Sequence, residues 1–412
     1  MNNLNILHLQ FSTKSAGSCA IRLHRGFTHH SNHNSLVLSL AKDDIAIDDV
    51  TYLPVQSRIL SKINNKLESF FLKYNKEKHG LFSNPILGYP INQHKLVKVA
   101  DVIYVHWVMM GFMSLGSFKA LISTNKRIIV FMHDMWYMTG GCHYAIDCSS
   151  FKMSCASCPV FPKNKDIALS QFIKKKDLFQ KFTNVFFVSP SIWLKKLSGE
   201  SSLLSNKKVH FIPNYFNSDI FRPQDKDLIR IELGLPLKKY IVCFGAVGID
   251  SPYKGWKYLK MALEYLGNLY DSDELEVLVF GEINSEQITQ NIEFKVNFLG
   301  YLDEEIAISK AYNAANVFVL PSTMDNQPTT VIESLNCGVP VVVFDLGGSP
   351  EMIDHKKNGY IARPYDSEDL AQGIHFCLSN HLNVYVKQEY HPSQVMKKHE
   401  ELLNSIHDES SY

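Results

Sequence analysis

The chain has 412 residues, of which 45% are hydrophobic and 20% charged. That balance excludes a disordered chain, and at ~150 residues per domain the length allows two or three packed cores. No apolar run reaches the ~18 residues of a membrane-spanning helix, which excludes a helical integral membrane protein. The net charge of +1 conceals an asymmetry: residues 1–180 hold 21 Lys and Arg against 11 Asp and Glu, the remainder 21 against 30. A basic first half suits an anionic membrane or a phosphorylated substrate. No helix-turn-helix, zinc-finger or RNP pattern occurs, so no nucleic-acid partner is expected.

The opening MNNLNILHLQFSTKS reads as a first strand and not as a basic segment followed by a long apolar one, so a cytoplasmic location is expected. Short Val-, Ile- and Phe-rich runs predict buried parallel strands at 4–9, 35–40, 102–108, 127–133 and 184–190. Between the second and third lies LSKINNKLESFFLKYNKEK (60–78), with Leu60, Ile63, Leu67, Phe70, Phe71 and Tyr74 on one helical face and lysines around it. It reads as a core-facing helix with a solvated lysine side; the alternative is a helix lying on an anionic membrane. FIPNYFNSDIFRPQD (211–225) carries two prolines and no periodicity, and reads as a linker. The strand pattern then restarts at 240–248, 275–282, 296–302, 316–322 and 339–345, and 394–406 reads as an amphipathic helix. Two successive sets of β/α alternation predict an α/β fold of two doubly wound Rossmann-like domains. The expected limits are 1–212, with a Cys-rich insert at 140–160, then 213–385, then a helical tail, 386–412, packing back toward the first domain.

Four of the eight cysteines, Cys142, Cys148, Cys155 and Cys158, fall within 17 residues. The closing Cys-x-x-Cys is half of a zinc-site pattern, and Cys142 with Cys148 supply a second half. A structural zinc holding the insert is one reading; packed reduced thiols are the other.

The stretch PSTMDNQPTTVIESLNCGVPVVVFDLGGSPEMI (321–353) gathers the most chemistry. A strand ends at Pro321, a loop carries Asp325 and Asn326, and a helix starts at Thr329 or Thr330 with Glu333 in its first turns. The next strand leads into Gly347-Gly348. In an open α/β sheet, ligands bind at the carboxyl ends of strands. Helix N-termini there favour phosphate, and carboxylates suit sugar hydroxyls.

Asp325 and Glu333, eight apart, resemble the E-x7-E signature of the retaining glycosyltransferases of family 4, which have the GT-B fold. The D-N-x-P beginning at Asp325 resembles a branch found among capsule, exopolysaccharide and O-antigen transferases. HDMWYMTGGCHYAIDCSSFKMSCASCP (133–159), VSPSIWL (188–194), IPN (212–214), KGW (254–256) and the opening ILHLQFSTKSAGSCA are similar to the same branch, in the same order. The resemblance implies that two domains face a central cleft, the second binding a nucleotide-sugar donor and the basic first domain a lipid-linked or free saccharide acceptor. It implies that Glu333 accepts from ribose hydroxyls, Asp325 holds the donor sugar, and Lys254 neutralises the departing diphosphate. His133 then contacts the donor sugar. Gly17, Gly245, Gly347 and Gly348 give close backbone approach, and Asn326, Thr329 and Thr330 line the donor site. His106, Trp136 and Asn214 fall to the acceptor side. No cofactor or catalytic metal is implied; the nucleotide-sugar is a substrate, and location at the inner face of the membrane follows. The chain departs from the family in having Asp at position 325. It also lacks the arginine that pairs with the lysine, since no Arg occurs between Arg230 and Arg363. Two rival readings follow: a catalytically idle scaffold or partner subunit of the same fold, and a GT-B nucleotide-sugar epimerase.

Overall fold

The computed structural model describes residues 3–14, 18–41, 47, 49–74, 76–161, 166–283, 290 and 292–408. The chain forms two compact units, Met1–Tyr215 with Val395–Tyr412, and Phe216–Gln394.

The first unit is built on seven parallel strands: β1 (Asn5–Gln10), β2 (Asn34–Ser39), β3 (Val50–Tyr52), β4 (Val102–Val105), β5 (Arg127–Phe131), β6 (Val185–Ser189) and β7 (Val209–Phe211). Their order is β3-β2-β1-β4-β5-β6-β7. The central strands are continuous apolar runs because helices cover both faces; all four residues of β4 are buried. On one face, Ile6, Tyr104, Ile129 and Phe131 pack with Phe27 and with Val395, Met396, Leu402, Leu403 and Ile406 of the terminal helix Pro392–Asp408. That helix is amphipathic, and its apolar side closes this layer.

The basic helix, expected over 60–78, spans Val55–Phe71; of its expected core-facing side Leu60, Leu67 and Tyr74 are half-buried, but Ile63, Phe70 and Phe71 are exposed. The buried side carries Ser57, Ser61 and Asn64, whereas Val55, Ile59, Ile63, Phe70 and Phe71 are exposed. The cause is local. Ser61 Oγ donates to Met110 O at 2.5 Å, and Asn64 Oδ1 accepts from the amides of Ile86 and Leu87 at 3.0 and 2.9 Å. A Cβ on Gly111 would lie 2.7 Å from Ser61 Cα, so only small polar residues fit where these backbones meet.

The second unit repeats the plan with β8 (Tyr240–Gly248), β9 (Leu275–Glu282), β10 (Lys295–Phe298), β11 (Val317–Leu320), β12 (Val341–Phe344) and β13 (Gly359–Ala362). All pairs are parallel, in the order β10-β9-β8-β11-β12-β13. Each sheet therefore reverses strand order beside its first strand, as doubly wound nucleotide-binding sheets do. In the second unit that reversal lies between β8 and β11.

Candidate functional site

Three loops meet at the carboxyl ends of β8, β11 and β12. The first holds Pro252–Lys254 and Gly255, the second runs from Pro321 to Pro328, and the third contains Gly347 and Gly348. Thr323 N donates to Tyr253 O at 2.8 Å, and Gly348 N to Asp325 O at 3.0 Å. Gly255 has φ +74° and a Cβ there would lie 1.8 Å from Pro321 O; Gly347 has φ +65° and a Cβ there would lie 2.3 Å from Asp325 O. Both positions thus exclude a side chain on two counts, backbone conformation and space.

The structure brings Lys254 and Asp325 together: Nζ lies 2.9 Å from Oδ2 and 3.2 Å from Oδ1. Glu333, on the helix Thr329–Asn336, is buried and accepts from Tyr312 Oη at 3.1 Å. Burial, then the Glu333 carboxylate, hold the Tyr312 hydroxyl well above the usual phenol range, so it remains a donor. Pro328 offers the helix no side-chain cap, and Val331 N donates to Pro328 O at 3.2 Å. Around this end, Ser322 Oγ, Thr330 Oγ1 and Ser349 Oγ are buried with no hydrogen-bond partner among the described residues. Buried hydroxyls rarely go unpaired, so three in one loop cluster mark a place for an oxygen-rich ligand. Asn326 is buried in the same loop and Thr329 is half-buried at the helix start. Gly245 has a different reason: a Cβ there would lie 2.0 Å from the Phe280 ring, so packing already demands it. Gly17 lies outside the described residues.

In the first unit, His106 and His133 follow β4 and β5, and His106 lies between His133 and His8 of β1. His8 Nδ1 and His106 Nε2 are 3.0 Å apart, as are His106 Nδ1 and His133 Nε2. Burial pushes His133 down to about 4 and His8 and His106 well below the usual histidine range, so all three rings are neutral at pH 7. Trp136, expected on the acceptor side, belongs instead to the core: it is buried, its Nε1 donates to Ser83 O at 3.0 Å, and Lys175 Nζ sits 3.3 Å from the ring centroid. Asn214 is buried just beyond β7.

The Cys-rich insert is held by polar anchors. Asp134 Oδ2 lies 2.5 Å from His143 Nδ1, and His143 Nε2 lies 2.8 Å from Ser83 Oγ. The buried Lys175 Nζ donates to Trp136 O at 2.5 Å and Thr139 O at 3.1 Å. Ser83, His143 and Asp134 follow the atom order of a hydrolytic triad, but all three are buried, and they tie the insert to the strand ends. Cys142, Cys148, Cys155 and Cys158 line one cavity of about 330 Å³ as free thiols. Among the described residues no three His, Cys, Asp or Glu are arranged to hold a metal ion. Cys155 Sγ accepts from Gly140 N at 3.2 Å, and burial pushes its thiol up to about 11.

Sequence reasoning missed His8, Tyr312, Ser322 and Ser349. The two serines lie inside the 321–353 stretch and His8 interrupts an apolar strand, both readable signals. Tyr312 leaves none.

A family profile described as Glycosyl transferases group 1 matches residues 238–380. Mannosylfructose-phosphate synthase of Agrobacterium fabrum is 30% identical over 183 residues, 41% of this chain and 39% of that protein. The UDP-Gal:alpha-D-GlcNAc-diphosphoundecaprenol alpha-1,3-galactosyltransferase of Escherichia coli is 24% identical over 176 residues, 40% of this chain and 44% of that one. The chain thus spans under half the length of these curated relatives. Over the whole chain, the structure of Anabaena HepE in complex with UDP and glucose superposes with a TM-score of 0.60 at 17% identity, covering 98% of this chain and 100% of that one. The fold is GT-B, two Rossmann-like α/β units, and residues 238–380 are similar to the glycosyl transferases group 1 family.

Proposed function

We propose that this chain is a retaining glycosyltransferase that moves a sugar from a nucleotide-sugar to a saccharide acceptor carried on a lipid, in the assembly of a surface polysaccharide. The observation that carries the donor half is the loop cluster of the second unit. Three buried hydroxyls without a partner among the described residues and two tightly packed glycines lie on the loops and helix that carry Lys254, Asp325 and Glu333. A nucleoside diphosphate sugar supplies the matching chemistry: phosphate oxygens for the amides and hydroxyls, ribose hydroxyls for Glu333, sugar hydroxyls for Asp325.

Lys254 neutralises the diphosphate as the glycosidic bond breaks, and it does so by exchanging Asp325 for phosphate oxygens. The acceptor hydroxyl attacks the face the diphosphate leaves, through an oxocarbenium-like state, and the leaving phosphate takes its proton. No side-chain nucleophile is required. The first unit supports the lipid-carried acceptor. Its helix Val55–Phe71 exposes Ile59, Ile63, Phe70 and Phe71 among Lys62 and Lys66, with Lys73 just beyond it, a composition suited to an anionic bilayer surface. The galactosyltransferase relative, named for a diphosphoundecaprenol acceptor, is consistent with this.

The test is transfer itself. The protein is incubated with a panel of UDP-, GDP-, ADP- and dTDP-sugars and polyisoprenyl-diphosphate saccharides, and the linkage of the product is read by NMR. An α-linked product from an α-linked donor supports the reading; a β-linked product contradicts retention, and a donor isomerised without acceptor indicates an epimerase.

A further inference from the structure

The cavity in the Cys-rich insert gathers four thiols whose surroundings suit thiolates. Cys142 lies within electrostatic reach of Cys148, Cys155 and Cys158, and Cys155 within reach of Cys148 and Cys158. Gly140 N donates to Cys155 Sγ at 3.2 Å, and the amides of Val160 and Phe161 donate to Cys158. A neutral thiol is a weak acceptor, whereas an amide N–H aimed at an anion makes a charge-assisted bond. The buried Lys175 lies within electrostatic reach of Cys142 and Cys155, where its ammonium can offset negative charge. The Cys-x-x-Cys turn opens at Cys155 with φ +55°, a left-handed conformation that a residue with a side chain keeps only where its surroundings fix it. Yet burial holds the thiols of Cys142, Cys155 and Cys158 above the usual range, so at pH 7 a bound cation is needed to make thiolates of them. Residues 139–161 contain no α-helix and no strand, so side-chain chemistry has to hold them.

We propose that Cys142, Cys148, Cys155 and Cys158 bind one zinc ion as thiolates, in a structural site that staples the insert. Zinc takes four thiolates tetrahedrally and without redox chemistry, and a closed set of four leaves no open position for catalysis. Binding turns four thiols and a free ion into a doubly negative zinc tetrathiolate and four released protons. Lys175 and the amides of Gly140, Val160 and Phe161 offset that charge in the interior. Among the described residues the sulfurs are not yet arranged about one point. Rotation about the Cα–Cβ bonds, from one staggered position to another, carries a sulfur into the cavity without moving the backbone. His143 is not a ligand, because its Nδ1 meets Asp134 and its Nε2 meets Ser83. His79 and Asp147 line the same cavity, but soft thiolates are the better zinc ligands. The site is independent of the glycosyltransferase reading, since it holds the insert and takes no part in transfer.

The experiment uses the full-length protein, produced with zinc in the medium, purified without chelator and dialysed. Elemental analysis by plasma mass spectrometry is expected to give about one zinc per chain. Exchange of that zinc for Co²⁺ gives a strong thiolate-to-cobalt charge-transfer band and the intense visible bands of tetrahedral coordination. Cys155→Ser and Cys158→Ser each lose most of the metal, whereas His79→Ala, Asp147→Ala and Cys377→Ala, the last in the second unit, keep it. Removing the zinc with a chelator raises hydrogen exchange across residues 139–161 and leaves β8, β9 and β11 unchanged. If the cysteine variants fail to fold, the cobalt spectrum of the wild-type protein decides. Folded wild-type protein that takes up no zinc on titration with Zn²⁺ overturns the proposal, as does a cobalt spectrum of octahedral oxygen coordination. Zinc that survives the combined loss of Cys155 and Cys158, stoichiometric iron or copper in its place, or zinc lost from His79→Ala or Asp147→Ala overturns it too.

Discussion

Tyr312 donates its hydroxyl to Glu333 Oε2 at 3.1 Å, inside the core of the second unit. At 2% exposure the Glu333 side chain depends on protein partners for its oxygens, and Tyr312 supplies one from a neighbouring helix. The pair thus orients the group that the donor-site reading assigns to ribose. Tyr312→Phe leaves the ring packing intact and removes the one hydrogen bond. The expected loss is ~0.5–1.5 kcal/mol, a two- to tenfold weaker nucleotide affinity by calorimetry, with the fold unchanged by circular dichroism. An unchanged affinity separates Glu333 from the nucleotide.

Lys254 and Asp325 form an ion pair at 2.9 Å. If the diphosphate takes Lys254 from Asp325, the carboxylate competes with the ligand. Asp325→Asn then tightens binding of a free nucleoside diphosphate severalfold, in keeping with the ~0.2–1 kcal/mol of a partly exposed pair, while sugar transfer falls. Lys254→Ala weakens the same binding. Looser binding in Asp325→Asn shows instead that the ion pair survives in the complex.

The buried histidines set a pH dependence for the first unit. Burial lowers His133 to about 4 and His399 to about 3, and moves His8 and His106 in the same direction. Asp134 opposes the shift at His133 without reversing it. The unfolded chain, titrating near 6.5, binds these protons first, so the stability they contribute is complete above pH 6.5 and is lost as pH falls toward 4. For His133 alone the loss between pH 7 and pH 5 is roughly 2 kcal/mol. Hydrogen exchange read by mass spectrometry shows protection of β1, β4 and β5 falling over that interval, ahead of β8, β9 and β11. Equal loss in both sheets contradicts the assignment.

The exposed side of the helix Val55–Phe71 predicts binding to vesicles containing phosphatidylglycerol. Attraction of ~1 kcal/mol per basic residue near the surface makes that binding salt-sensitive. Phe70→Ser with Phe71→Ser removes the apolar part and lowers partitioning at least tenfold, since burying each ring contributes ~1.5–3 kcal/mol. Binding to neutral and anionic vesicles alike, or to neither, removes the membrane surface from the account.

Much of this fold was legible in the sequence because its central strands are uninterrupted apolar runs such as VIYV at 102–105 and VFVL at 317–320. The edge strands β3, β7 and β13 were not, being three or four residues long and, in β3, only half-buried throughout. The helix Val55–Phe71 misled because hydrophobic periodicity assumes that the apolar side packs. Here the backbone near Gly111 comes so close that the serine and asparagine side must. At the site, Asp325, Glu333 and the glycine pair were legible because one strand-loop-helix segment carries them. The Lys254–Asp325 ion pair spans 71 positions and the Tyr312–Glu333 bond 21, and no local spacing encodes either. Trp136 carried a misleading signal, an aromatic in a long loop, that burial and Lys175 explain.

The most direct measurement is isothermal calorimetry of the full chain with UDP-, GDP-, ADP- and dTDP-sugars, with Glu333→Ala alongside. The account predicts saturable binding of one nucleotide class, abolished in the variant. No binding of any class by the folded wild-type protein, or binding that Glu333→Ala leaves intact, contradicts a donor site at the carboxyl ends of β8, β11 and β12.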